Sequence, residues 1–158
     1  MSLPQQQFDV FRLDFPVTLE DARDAVRSAM QWLLDRQIRE DECQQWELVL
    51  AEAANNAVLY ATPEQARHTV RIEAALTADV IEIRITDHTS GFAWPDNVEL
   101  PEDDEREHGR GLFIISSLTD HVSYLHGQGH NVLCLKTRRK SPPQASEDTE
   151  ATLELMTA

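Results

Sequence analysis

Two runs of alternating apolar and polar residues, His68-Thr-Val-Arg-Ile-Glu-Ala-Ala-Leu76 and Val80-Ile-Glu-Ile-Arg-Ile-Thr-Asp87, are separated only by Thr77, Ala78 and Asp79. A period of two over this length fits a half-buried strand and not a helix. So short a connection leaves no room for a crossover, so the runs form an antiparallel hairpin. Val70, Ile72 and Ala74 share a face, as do Ile81, Ile83 and Ile85, while Arg71, Glu73, Glu82 and Arg84 point to water. A sheet with one apolar face has to be covered by something else in the chain.

The cover comes from the preceding residues. Thr18 with Asp21 reads as an N-cap with an acidic first turn, and Leu19, Ala22, Val26, Ala29, Met30, Leu33 and Leu34 recur at helical spacing, giving a first helix to about residue 38. A second helix starts in the acidic cluster Glu40, Asp41 and Glu42 and stops before Pro63. With Trp46 as zero, Leu50, Ala53 and Ala57 fall within roughly 40° of it and Val49 lies close by on the other side, so these make the buried seam. Glu52 and Asn56 are about 40° apart at the margin of that seam, where they can line a pocket.

Residues 8–15, ending at Pro16, read as an edge strand. Residues 87–108 show no period and contain the run Glu102 to Glu107, which has five acids and one base; a connection of this length suits a lid. Gly109-Arg110-Gly111 then opens a short helix through Leu112, Phe113, Ile114, Ile115 and Leu118, and a glycine-led N-terminus can receive an anion. HVSYLHG and HNVLCLKT, joined around Gln128, form a second hairpin that ends the core near Lys140. The expectation is therefore an α+β two-layer sandwich, a mainly antiparallel sheet covered on one face by helices. It spans residues 1–140, and an acidic, proline-containing tail follows at 141–158.

The 158 residues suffice for one domain with its own core. A formal net charge of -14 repels phosphate backbones and anionic membranes, which argues against nucleic-acid and membrane-surface partners and in favour of basic proteins. No apolar run reaches the roughly 20 residues of a membrane span, and MSLPQQQ lacks the features of a secretory leader, so a soluble cytoplasmic protein is expected. Cys43 and Cys134 lack metal or redox spacing and read as small core residues, and the six histidines show no ligand spacing.

Three features remain that can do chemistry: Glu52 and Asn56 one turn apart, Asp87-His-Thr-Ser-Gly91 closing a strand, and Gly109 to Leu112 opening a helix. Singly, each is compatible with a solvated flank, a turn acid and a tight corner. In this order and spacing, over about residues 8–137, they resemble the ATPase superfamily of gyrase, histidine kinases and MutL, with its Bergerat-type fold, and most closely the anti-sigma-factor branch of partner-switching serine kinases.

The resemblance implies ATP with Mg2+ as ligands. It makes Glu52 the general base toward a serine hydroxyl and Asn56 the magnesium ligand. Asp87 then reads the adenine amine, Gly91 admits the base, and Gly109, Arg110, Gly111 and Leu112 surround the phosphates. It further implies a sigma factor and a serine-bearing antagonist of that anti-sigma factor as partners, with a homodimer as a possible assembly. The alternative is a catalytically weak or inactive module that only sequesters partners; a sensor-kinase fragment fits worst, since the first helix has no histidine. Four departures bear on this choice. Thr89 replaces a glycine that follows the aspartate, Tyr60 follows the asparagine, the last hairpin carries Gly129-His130-Asn131 in place of a small hydroxyl residue after glycine, and the lid is acidic.

Overall fold

The structure, a computed structural model, describes residues 9–96, 98–99 and 107–140, with side chains in the last segment from Arg110 onward. Five strands, β1 (Asp9–Pro16), β2 (Thr69–Leu76), β3 (Val80–Asp87), β4 (His121–Gly127) and β5 (His130–Arg138), form one sheet in the order β1-β2-β3-β5-β4. Every neighbouring pair is antiparallel. Three helices, α1 (Leu19–Asp35), α2 (Glu40–Leu59) and α3 (Glu107–Leu118), lie across one face: α1 over β1 and β2, α2 over β3, α3 beside β4. This is the expected α+β sandwich, with β1 at an edge.

The central hairpin pairs Ile72 with Ile85 and Ala74 with Ile83, and all four are buried under the helices. On the other face charges pair across strands; Arg71 Nε donates to Asp14 Oδ1 at 2.6 Å, directly opposite in register. Trp46, Val49, Leu50, Ala53 and Ala57 form the buried side of α2, joined by Ala54. Alanine at these positions lets the neighbouring helices approach α2 closely. Thr18 caps α1 as expected: its Oγ1 accepts from Asp21 N at 3.1 Å and donates to Asp21 Oδ2 at 2.6 Å.

Three expectations are corrected. Helix α1 stops at Asp35, not near residue 38, because Gln37 turns left-handed (φ 62) and Ile38 N returns to Leu33 O at 3.2 Å. That bond, with Gln37 N to Leu34 O, is a Schellman closure, and Ile38 is buried beneath it. Helix α3 begins at Glu107, so the glycines lie within it and do not open it. Cys134 is half-buried on the sheet face away from the helices, donating to Glu82 Oε1 at 3.4 Å; Cys43 is in the core as expected. The expected tail 141–158 and residues 100–106 of the acidic lid lie outside the described residues.

Candidate functional site

A cavity of ≈ 260 Å³ opens between the helix layer and the C-terminal end of β3. Its floor is apolar: Ile85 and Leu133 from the sheet, Ala53 and Ala57 from α2, Leu112 and Ile115 from α3. Phe92, Trp94 and Tyr124 make an aromatic wall, with Phe92 stacked on Tyr124 at 4.8 Å between centroids. Asn56, Asp87, Thr89 and Ser90 supply the polar atoms. A small space with one flat aromatic side and few polar groups suits a heterocyclic base. Burial, assisted by the nearby Asp87 carboxylate, holds the Tyr124 phenol above its ordinary pKa, so it stays a neutral hydroxyl.

Four of the predicted residues line this cavity, from three elements, and Glu52, Gly109, Arg110 and Gly111 do not. Asn56 lines it from α2, and Asp87 and Gly91 from the end of β3 and the turn beyond. Leu112 lines it from α3 with a buried side chain. Glu52 stands one turn before Asn56, half-buried, against Gly111. A Cβ at position 111 would meet Glu52 Oε2 at 2.8 Å, with Asn56 Nδ2 at 3.7 Å, so the missing side chain of Gly111 is what lets α3 lie over this carboxylate and carboxamide.

Because α3 starts at Glu107, Gly109 lies in its first turn, where backbone N–H groups lack intrahelical partners. Gly111 and Leu112 lie beyond that turn and contribute close approach and an apolar wall. Arg110 is exposed. Tyr60, one of the four departures, lines the cavity beside Asn56.

Asp87 is held in a fixed geometry. Its Oδ1 accepts from Thr89 N at 3.0 Å, Thr89 Oγ1 at 2.8 Å and Asn131 Nδ2 at 2.8 Å. No donor from the described residues reaches Oδ2. Gly91 has φ 72, and any Cβ there would collide with His126 Nδ1 and stand 2.6 Å from Asn131 Oδ1, so the turn admits only glycine.

Asn131, the aromatic wall and the bonding role of Thr89 were missed by sequence reasoning. One signal was available: Asn131 alternates with Leu133 and Leu135 on the inward face of β5, and a polar residue at a core position calls for a partner.

Among known proteins, the model of the histidine kinase-like ATPase domain matches residues 15–137. Serine-protein kinases RsbW of Bacillus mycoides (strain KBAB4) and Bacillus cereus (strain AH187) are each 27% identical over 104 residues, covering 61% of this chain and 64% of theirs. The chain thus matches a little under two thirds of the length of these curated relatives. The crystal structure of the RsbU and RsbW domains of a Mycobacterium tuberculosis protein superposes with a TM-score of 0.65 at 16% identity, over 85% of this chain and 33% of that one. A chain of the SiaB–SiaC complex from Pseudomonas aeruginosa gives 0.57 at 13% identity, over 85% and 92%. At these identities the two structures bear on the fold.

Proposed function

The chain belongs to the histidine kinase-like ATPase domain family, and from that premise we propose that it is an anti-sigma factor that phosphorylates a serine of its own antagonist protein with ATP. The observation that carries the reading is the meeting of Asn56, Asp87, Gly91 and Leu112 around one cavity, with Glu52 held beside it under Gly111. The base occupies the aromatic-walled end, its amine on Asp87 Oδ2. The phosphates run toward the first turn of α3, where Gly109 offers a backbone N–H and Arg110 adds positive charge. Glu52 takes the proton of the incoming serine hydroxyl as its oxygen attacks the γ-phosphorus of ATP in line, and the bond from that phosphorus to the bridging oxygen breaks to release ADP.

Asn56 fits a magnesium site of the kind that binds with a nucleotide. Mg2+ uses one or two protein oxygens and completes its shell with phosphate and water. Among the described residues no three His, Cys, Asp or Glu side chains converge into a protein cage, and the Asn56 carboxamide faces the cavity. When bound, the ion neutralises non-bridging phosphate oxygens.

Thr89, the substitution that favoured an inactive module, bonds to Asp87 and leaves Oδ2 open, so the base-reading acceptor survives it. The relatives named as serine-protein kinases support phosphoryl transfer to a protein, and the strong negative charge favours a basic surface on the partner, for which a sigma factor is the proposed candidate. Among the described residues nothing pairs with the outer edge of β1, which is where a second copy would add. Among the described residues no helix is long and apolar enough to cross a membrane.

The test is transfer of radiolabelled phosphate from ATP to candidate antagonist proteins. Glu52→Ala should lower the rate by about 10²–10⁴-fold, the range for loss of a general base, and Asn56→Ala should abolish magnesium-dependent transfer. Wild-type rates in both variants would sink the assignment of α2.

A further inference from the structure

Asn131 and Glu42 are the buried polar residues of the described core, and Asn131 is 1% exposed. A carboxamide buried this deeply is costly unless its donors and its acceptor are both used. Here they are. Nδ2 donates to Asp87 Oδ1 at 2.8 Å and to Thr89 O at 2.9 Å, and Oδ1 lies 2.8 Å from His126 Nδ1. The three residues stand in one row across the sheet, Asp87 on β3 opposite Asn131 on β5, and Asn131 opposite His126 on β4.

The direction of every bond in this row is determined. A carboxylate and a carbonyl face one end of the amide, so that end must be the NH2. Oδ1 therefore faces the histidine, and His126 must carry its proton on Nδ1 to donate to it. At the other end of the row, Oδ1 of Asp87 receives Asn131 and both donors of Thr89. The carboxylate cannot swing without giving up three bonds. The turn that follows is shaped to the same pair, since Gly91 packs directly on His126 and Asn131.

We propose that Asn131 and His126 are positioning residues for base selection. His126 fixes the amide of Asn131, and Asn131 locks Asp87 so that only the acceptor Oδ2 faces the cavity. The site then takes a purine presenting an amino group at that point and rejects one presenting a carbonyl, whose oxygen would face a carboxylate that cannot turn away. This rests on the nucleotide-binding reading above.

The experiment is calorimetry of the full chain with Mg-ATP and with Mg-inosine triphosphate, which has a carbonyl in place of the amine. The wild type should prefer ATP by at least about 100-fold, since a site built to bond a substrate group discriminates strongly against its absence. Asn131→Leu should lower ATP affinity by roughly tenfold or more, as expected for a lost hydrogen bond to a charged group, and leave inosine triphosphate nearly unchanged, so the preference falls by the same factor. His126→Phe should cost ATP roughly threefold to tenfold, and His126→Asn, whose amide can donate from the place of Nδ1, should restore it.

Long-range nitrogen–proton NMR of the ligand-free protein gives a second readout that needs no nucleotide: neutral His126 should be protonated on Nδ1, shifting to Nε2 in Asn131→Leu. An unchanged ATP preference in both Asn131→Leu and His126→Phe, or an Nε2-protonated His126 in the wild type, overturns the proposal while the ATP-binding reading stands. A wild type that binds neither nucleotide at millimolar concentration overturns both. If Asn131→Leu does not fold, the His126 variants and the wild-type tautomer still decide the matter.

Discussion

Substituting Gly111 by alanine separates the stability of this fold from its chemistry. The new methyl carbon would stand 2.8 Å from Glu52 Oε2, closer than two such atoms can remain, while the next neighbours are at an ordinary 3.7 Å. What obstructs it is the tip of a half-buried side chain, so Glu52 rotates away and the backbones of α2 and α3 stay in place. Pushing Glu52 off its rotamer costs about 0.5–1.5 kcal/mol. Replacing glycine by alanine inside a helix returns roughly 0.8–1 kcal/mol. The two nearly cancel, so Tm should stay within about 3 °C of wild type. Catalysis should not survive, because a displacement of about 1 Å in a reacting group costs on the order of 100-fold. ATP affinity should hold within about threefold, since the base end of the cavity is untouched and only an ordinary contact reaches Asn56. Thermal unfolding, nucleotide calorimetry and labelled-phosphate transfer measured on one preparation decide the question. A Tm lowered by more than about 6 °C would mean that the helices, not Glu52, absorb the methyl group. Wild-type transfer at wild-type Tm would mean that the Glu52 position does not matter to the reaction.

Two further outcomes follow from the fold. Thr18→Ala removes the acceptor for Asp21 N at the start of α1 and should cost about 1 kcal/mol, seen as a Tm lowered by roughly 3 °C with ATP affinity unchanged; an unchanged Tm would mean that the cap contributes nothing. Burial raises the pKa of Glu42 above the ordinary carboxylate range, and a bond from Lys140 N to Oε2 only partly opposes it. A raised folded-state pKa gives stability that is full at low pH and is lost as pH rises through that value. Glu42→Gln should therefore melt above wild type at pH 7, with the gap closing as pH falls toward the ordinary glutamate range. A variant that melts below wild type at pH 7 would contradict this sign.

Periodicity was sufficient for the sheet and for α2 because both signals are local. Alternation from Val70 to Leu76 and from Val80 to Ile85 names the inward face of each strand, and the short connection fixes which strands pair. The same signal misplaced the end of α1. Ile38 follows Leu34 at helical spacing, yet its apolar side chain serves the closure after Gln37 has left the helix. At α3 the glycines suggested a beginning, whereas Gly111 is needed for its contact with Glu52, and no local pattern in sequence distinguishes a glycine chosen for its backbone from one chosen for its neighbour.

The surroundings of Asp87 were the least legible part because they depend on register between strands distant in the chain. The alternation of β5 places Asn131 inward but does not say what it meets; only the pairing of β3, β5 and β4 sets it between Asp87 and His126. That register gives Thr89, one of the departures read in the sequence, a second donor beside it from across the sheet. Thr89 and Asn131 donate to the same oxygen of Asp87, Thr89 from its own turn and Asn131 from across the sheet. A glycine at 89 would leave the carboxylate with one side-chain donor fewer. Thr89 and Asn131 thus supply two parts of one clamp on Oδ1, and the clamp leaves Oδ2 without a donor among the described residues.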